Sequence, residues 1–282
     1  MTAAQRKNPF TGISAAWTYV SVKHATELVG AIEHNRKVSP ALIARYARDM
    51  LSGSWGLSES AIVIDESGNV INGQHRLGAV MLSRRGCWFV VVHGVPRGTI
   101  IDMDQGKKRT LPEALTLSGE FDGSIDNNIA AWSKFIMVYG TGQNGVSVVP
   151  THHEVARFIM DNYTPLTRVR KLMTNTGRGV TTAPVFAVIV QAWIKGESKT
   201  RISQFVHTML TGESQGKQDS AAVRLRNWLL TSEMNYGGTG RVEVYEKTRR
   251  ALRAFLESRP LSKLFPLKED PWEVRNKEAV AV

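Results

Sequence analysis

The sequence predicts an α+β protein, with a small α/β domain followed by a mostly α-helical C-terminal domain. Three observations carry that expectation. The hydrophobic period changes from two to about 3.6 residues at Gly73, a strand-like run follows from Trp88 to His93, and no strand signal of similar strength lies beyond residue 150.

Taken in order, residues 1–16 mix polar, small and Gly/Pro residues without a period and read as a flexible arm, and the segments after them read as helical. Ser39-Pro40 puts a capping hydroxyl and a proline where a helix prefers to start. Ala41, Ile43, Ala44, Tyr46, Ala47, Met50 and Leu51 then recur at helical spacing until Gly53. Ala61 to Asp65 is a β-type run, Glu66-Ser67-Gly68-Asn69 a turn, and Val70-Ile71 the return strand of a hairpin. Leu77, Val80 and Met81 share one helical face, and Gly86 is a helix stop before the strand at Trp88. Hairpin, helix and strand in that order make a unit whose helix crosses over its sheet.

The α/β domain is placed at 17–115, a connecting helix and a Gly/Thr/Ser-rich linker at 116–150, and a basic helical domain at 151–282. Thr151-His152-His153-Glu154 reads as a capping box. Adjacent histidines on a helix diverge by about 100°, so His152 and His153 are helix-start residues rather than a metal pair. Pro184–Trp193, Ile202–Leu210, Ala221–Leu230 and Val242–Leu256 follow as helices. Trp132, Trp193, Trp228 and Trp272 are too dispersed to make one stacking platform and read as packing residues.

Apolar residues make up 42% and charged residues 22% of 282, which suits a globular chain and not a disordered one. No run reaches the roughly 18–20 apolar residues of a membrane span, and Met1 to Phe10 lacks the apolar centre of a signal peptide, so a cytoplasmic protein with no membrane partner is expected. One cysteine, Cys87, excludes an internal disulfide and a Cys-rich zinc site; it reads as a small buried hydrophobe. The net charge of +11 is unevenly spread, at +4 in 1–57, −1 in 58–150 and +8 in 151–282. Basic flanks of this kind attract polyanions.

The residues with the clearest chemistry are Asn72-Gly73-Gln74-His75-Arg76. Gly73 allows a sharp strand-to-helix turn, and the first N–H groups of the helix sit at the positive end of its dipole. Gln74 adds an amide, His75 an imidazole and Arg76 a planar guanidinium suited to phosphate oxygens. Four donors are expected to converge on one anion. Alone, His75 would be a structural hydrogen-bonding residue and Arg76 a solvated charge.

The stretch from about Tyr46 to Val95, with Tyr46-Ala47-Arg48-Asp49-Met50, Gly53-Ser54-Trp55 and Gly68-Asn69-Val70-Ile71-Asn72-Gly73-Gln74-His75-Arg76-Leu77, resembles the ParB/sulfiredoxin-like domain in its Asp-Gly-Gln-His-Arg variant. The resemblance covers about a third of the chain and implies a turn that binds nucleotide phosphates, in a phage or plasmid setting. Members of the superfamily include DNA-partitioning switches, free-serine kinases and proteins named as nucleases. Gln74 stands between Gly73 and His75 where sulfiredoxins carry a cysteine, which argues against sulfinic-acid reduction. Asn72 replaces the acid of the commoner variant and cannot act as a base.

A second constellation follows. Asp102 and Asp104 offer a weak pair of oxygen ligands for Mg²⁺, facing one side if the segment is extended, and Lys107, Lys108, Arg109 and Thr110 offer phosphate contacts. The plain alternative is a charged surface loop. Further on, Arg168, Arg170, Lys171 and Arg178 form a basic cluster, and Arg249, Arg250 and Arg253 a second stripe at helical spacing, either of which could contact a nucleic-acid backbone or be solvated. The expectation is therefore a DNA-binding protein with a phosphate- or nucleotide-binding domain. The alternative is a metal-dependent nuclease or phosphotransferase using the same turn, with an NTP and Mg²⁺. A purely structural protein would bind neither.

Overall fold

A computed structural model describes residues 11–32, 37–56, 60–103, 109–119, 125–140, 149–173, 180–232, 238–268 and 272. The chain divides into two compact units, 1–108 and 109–282.

The first unit holds a four-stranded mixed sheet in the order β1-β4-β2-β3. Strands β2 (Ile62–Asp65) and β3 (Val70–Asn72) make the expected hairpin. Its turn is closed by Asp65, whose Oδ1 accepts from the Ser67 and Asn69 amides at 3.0 and 2.8 Å. Helix α3 (Gln74–Ser83) then crosses to β4 (Cys87–Val95), which runs parallel to β2. The expected order of hairpin, helix and strand is present.

Strand β1 (Ser14–Val20) differs from expectation, because it begins inside the segment read as an arm and occupies sequence read as helical. It pairs antiparallel with β4 from Ser14 opposite His93 to Val20 opposite Cys87. Such a contact between distant residues leaves little local signal, and Ala15 and Ala16 are weak strand formers. Residues 1–10 of the arm lie outside the described residues.

One sheet face is buried by helices. Val20, Ile62, Ile64, Phe89 and Val91 form a core with Ala47 and Met50 of α2 (Pro40–Ser52) and Leu77 and Val80 of α3. Helix α1 (Val22–Gly30) joins it through Ala25. Helices α2 and α3 approach closely because Gly78 lacks a Cβ, which would stand 2.7 Å from Ile43 Cδ1. The other face carries Trp17, Tyr19 and Trp88, each about half exposed, with the Tyr19 and Trp88 rings in edge contact.

The second unit is helical among its described residues: α4 (Leu111–Ser118), α5 (Asn127–Tyr139), α6 (His152–Asp161), α7 (Tyr163–Leu172), α8 (Ala183–Ile194), α9 (Lys199–Thr211), α10 (Ser220–Thr231) and α11 (Gly238–Leu256). Pro184 to Ala192 of α8 are all buried, so this helix is the centre and not an amphipathic surface element. Its buried polar residue, Gln191, donates Nε2 to Gly140 O at 3.0 Å and accepts at Oε1 from the Tyr245 hydroxyl at 2.6 Å. The expected capping box at Thr151 and Glu154 is formed, and His152 and His153 are exposed first-turn residues. No described helix is long and apolar enough to cross a membrane.

The two compact units divide between 108 and 109, ahead of the domain end expected at 115. Helix α4 places Leu111 and Leu115 in the helical core, and α5, expected in a connecting region, supplies Ile129, Trp132 and Phe135 to the same core. Residues 141–148 of the expected linker lie outside the described residues.

Candidate functional site

At the end of β3 the backbone turns at Gly73 with φ +115°, a left-handed value costly for a residue with a Cβ. Gly73 is also the N-cap of α3 and so gives that helix no side-chain cap. A Cβ on it would meet Ile62 Cγ1 at 3.0 Å and Ile62 Cα at 3.2 Å. The glycine is therefore required by the hairpin as well as by the turn.

The start of α2 lies against the start of α3. Ser39 caps α2, its hydroxyl accepting from the Leu42 amide, and its own N–H donates to His75 Nε2 at 3.0 Å. Leu42 and Tyr46 of α2 then enclose a recess of about 30 Å³ with Asn72, Gly73, His75 and Arg76. The N-cap and first turn of α3 thus line one small space, closed on its other side by Leu42 and Tyr46, and the positive end of that helix acts on it. The volume suits one small group, such as a water or a single phosphate oxygen, and is far below the ~300 Å³ at which ligand pockets begin.

The side chains differ from the expected set of convergent donors. Gln74 and His75 are buried, each at 6% exposure. His75 accepts at Nε2, so its ring carries its proton on Nδ1 in this arrangement and ties α3 to α2. Arg76 donates Nη2 to Ala61 O at 2.7 Å and to Asn72 Oδ1 at 3.3 Å, holding the entry to β2. Within the motif, side chains brace the hairpin and both helices, and the anion-favouring element is the start of α3. A buried histidine and an inward-reaching arginine satisfy the fold's own polar groups first, because an unmet buried carbonyl is costly.

The second constellation is less complete. Asp102 ends a 3-10 helix (Arg97–Asp102), and Met103 after it is extended. Asp104, Lys107 and Lys108 lie outside the described residues, and Arg109 is exposed. Thr110 is the N-cap of α4: its hydroxyl accepts from the Glu113 amide, and Glu113 Oε2 accepts from Thr110 N at 2.7 Å. This capping box accounts for Thr110 without a phosphate.

Of the first basic cluster, Arg168 and Lys171 are exposed on α7, while Arg170 is paired with Asp126, the N-cap of α5. Burial pushes the Asp126 carboxyl up, but the Arg170 guanidinium and the Ile129 amide outweigh it and hold the group below the usual range. Arg178 lies outside the described residues. The second stripe is corrected. Arg249 is 3% exposed and donates to Tyr139 O at 3.2 Å and to the Tyr245 hydroxyl at 3.0 Å, Arg250 is half-buried, and Arg253 pairs with Glu257 at 2.9 Å. Of the three arginines at helical spacing, Arg249 alone packs inward, while Arg253 stays exposed.

Other groups went unseen in sequence. Asp65, 3% exposed, receives Arg97 Nη1 at 3.0 Å in addition to its two turn amides. Burial raises its pKa, yet the Asn69 and Ser67 amides and Arg97 together leave it below the ordinary carboxylate value. Cys87 is half-buried, and burial pushes its thiol up against the lowering effect of Arg85, which agrees with an unreactive role. In the second unit, an open groove of about 920 Å³ is lined by Lys217, Arg224 and Lys263. These cations are spread over three segments, so no sequence cluster marks them. No family model, curated protein or solved structure matches this chain.

Proposed function

We propose that this chain binds DNA through its phosphate backbone, with the corner between α2 and α3 seating a phosphate oxygen and exposed cations such as Arg168 and Lys171 adding non-specific contacts. The observation that carries this reading is a recess too small for a nucleotide, lined by the N-cap and first turn of α3 and closed by Leu42 and Tyr46 of α2. Positive helix ends favour an anion, and the narrow space admits one oxygen of a chain lying across it rather than a whole NTP. The resemblance to ParB/sulfiredoxin-like domains supports a phosphate ligand at this turn and a phage or plasmid setting.

The test is Ser39→Asp. Aspartate caps helices as well as serine, so α2 keeps its start, but a negative charge now stands beside the recess. Duplex affinity at low salt should fall about tenfold, within the range of a charge at a helix end, while the urea midpoint is unchanged. Unchanged affinity with unchanged stability would remove the corner from the binding surface.

A further inference from the structure

The groove of the second unit is lined by none of the residues that the proposed function uses. It is formed by α10, the segment after Gly212 and the chain around Lys263. Its lining includes Lys217, Arg224 and Lys263, and no Asp or Glu. The nearby acids are directed elsewhere: Glu213 meets His207 Nε2 at 3.0 Å, and Asp219 is buried with Oδ2 accepting from the Gln215 amide at 2.7 Å. Both border a different recess. Arg224 is held in place by its Nε, which donates to Leu261 O at 2.8 Å, and Lys217 and Lys263 form no ion pair among the described residues.

Two aromatic rings share this lining. Phe265 is 59% exposed, a large loss of burial for such a side chain, and Trp228 is half-buried with the Lys247 ammonium 4.1 Å from its ring centroid. Cations beside one exposed and one half-buried ring in a concave, acid-free surface match a polyanion whose bases are free to stack. A duplex hides its base faces inside the helix and presents a convex backbone, so it could use the cations but not the rings. The volume of about 920 Å³ has room for on the order of two or three nucleotide units, if each is taken as a ligand of roughly 300 Å³.

We infer that this groove is a binding site for single-stranded nucleic acid, with Lys217, Arg224 and Lys263 on the phosphates and Phe265 and Trp228 against the bases. The inference rests on the nucleic-acid-binding reading and adds the strand class and the place where it is recognised. Trp228 is braced by Lys247 and stays fixed, whereas Phe265 is the exposed ring that a base would cover.

Fluorescence anisotropy on the full chain tests it, using a labelled 12-nucleotide single strand and its duplex across a salt series, with Phe265→Ala and the double variant Lys217→Gln/Lys263→Gln. The single strand should bind at least tenfold more tightly than the duplex. Phe265→Ala should cost the single strand about tenfold, in keeping with the loss of one base stack, and leave the duplex unaffected. The double variant should reduce the single-strand salt slope by roughly 1.4, at about 0.7 per lost phosphate contact. Equal affinities for the two probes together with a silent Phe265→Ala would overturn the single-strand site while leaving DNA binding intact. Absence of binding to both probes at low salt would remove the two readings together.

Discussion

Replacing Gly73 by alanine tests whether the strand-to-helix corner is a requirement of the fold itself. Two costs add. Holding an L-residue at φ +115° costs roughly 1–2 kcal/mol, and a Cβ 3.0 Å from Ile62 Cγ1 and 3.2 Å from Ile62 Cα forces a shift in β2, worth about 1–3 kcal/mol by comparison with overpacked cores. The expected loss is therefore roughly 2–5 kcal/mol in a unit of some hundred residues, where each kcal/mol moves Tm by about 4–8 °C. Gly53→Ala provides the control, because Gly53 also has positive φ, at +76°, but nothing lies within 4 Å of its missing Cβ. Hydrogen exchange read by peptide mass spectrometry separates the two units, since peptides from β2, β3 and α3 report the first and those from α8 the second. Gly73→Ala should lower protection in the first unit well beyond Gly53→Ala and leave α8 peptides unchanged. Equal losses in the two variants would refute the Ile62 contact as the reason for glycine at this position.

Two further outcomes follow from side chains the fold has enlisted. Asp65 has a folded pKa below its ordinary value, so its stabilising contribution is present above about pH 4 and is lost as pH falls through the lowered value; urea midpoints measured from pH 7 to pH 2.5 should fall in acid, and Asp65→Asn should flatten part of that fall. Arg249→Met should destabilise the second unit by about 2–4 kcal/mol by leaving Tyr139 O and the Tyr245 hydroxyl without their donor, with DNA affinity unchanged; a loss of affinity without a loss of stability would return Arg249 to the binding surface.

Local signals were legible where short-range chemistry decides structure. Ser39-Pro40, Thr151 with Glu154, the Glu66–Asn69 turn and the change of period at Gly73 all mark ends of elements that the structure contains. What could not be read depends on partners far along the chain. Strand β1 is defined by β4, far along the chain with Ser14 opposite His93 and Val20 opposite Cys87, and Trp17, Tyr19 and Trp88 become neighbours only through that register. The candidate site shows the same division. The corner at Gly73 was evident, but the partners of its side chains were not, because nothing marks Ser39 N as the donor to His75 or Ala61 O as the acceptor from Arg76. Arginine spacing on α11 was read as an outward face, although Tyr139 and Tyr245 draw Arg249 inside. The groove cations Lys217, Arg224 and Lys263 were invisible because three separate segments supply them.

The most direct test of DNA binding by phosphate contact is the affinity of the unmodified chain for a short duplex between 50 and 400 mM salt, concentrations chosen on the order of those over which counterion release is read. Some four to six phosphate contacts predict a slope of log K against log salt of roughly −4 to −5. A flat line, or no complex at the lowest salt, would contradict the account.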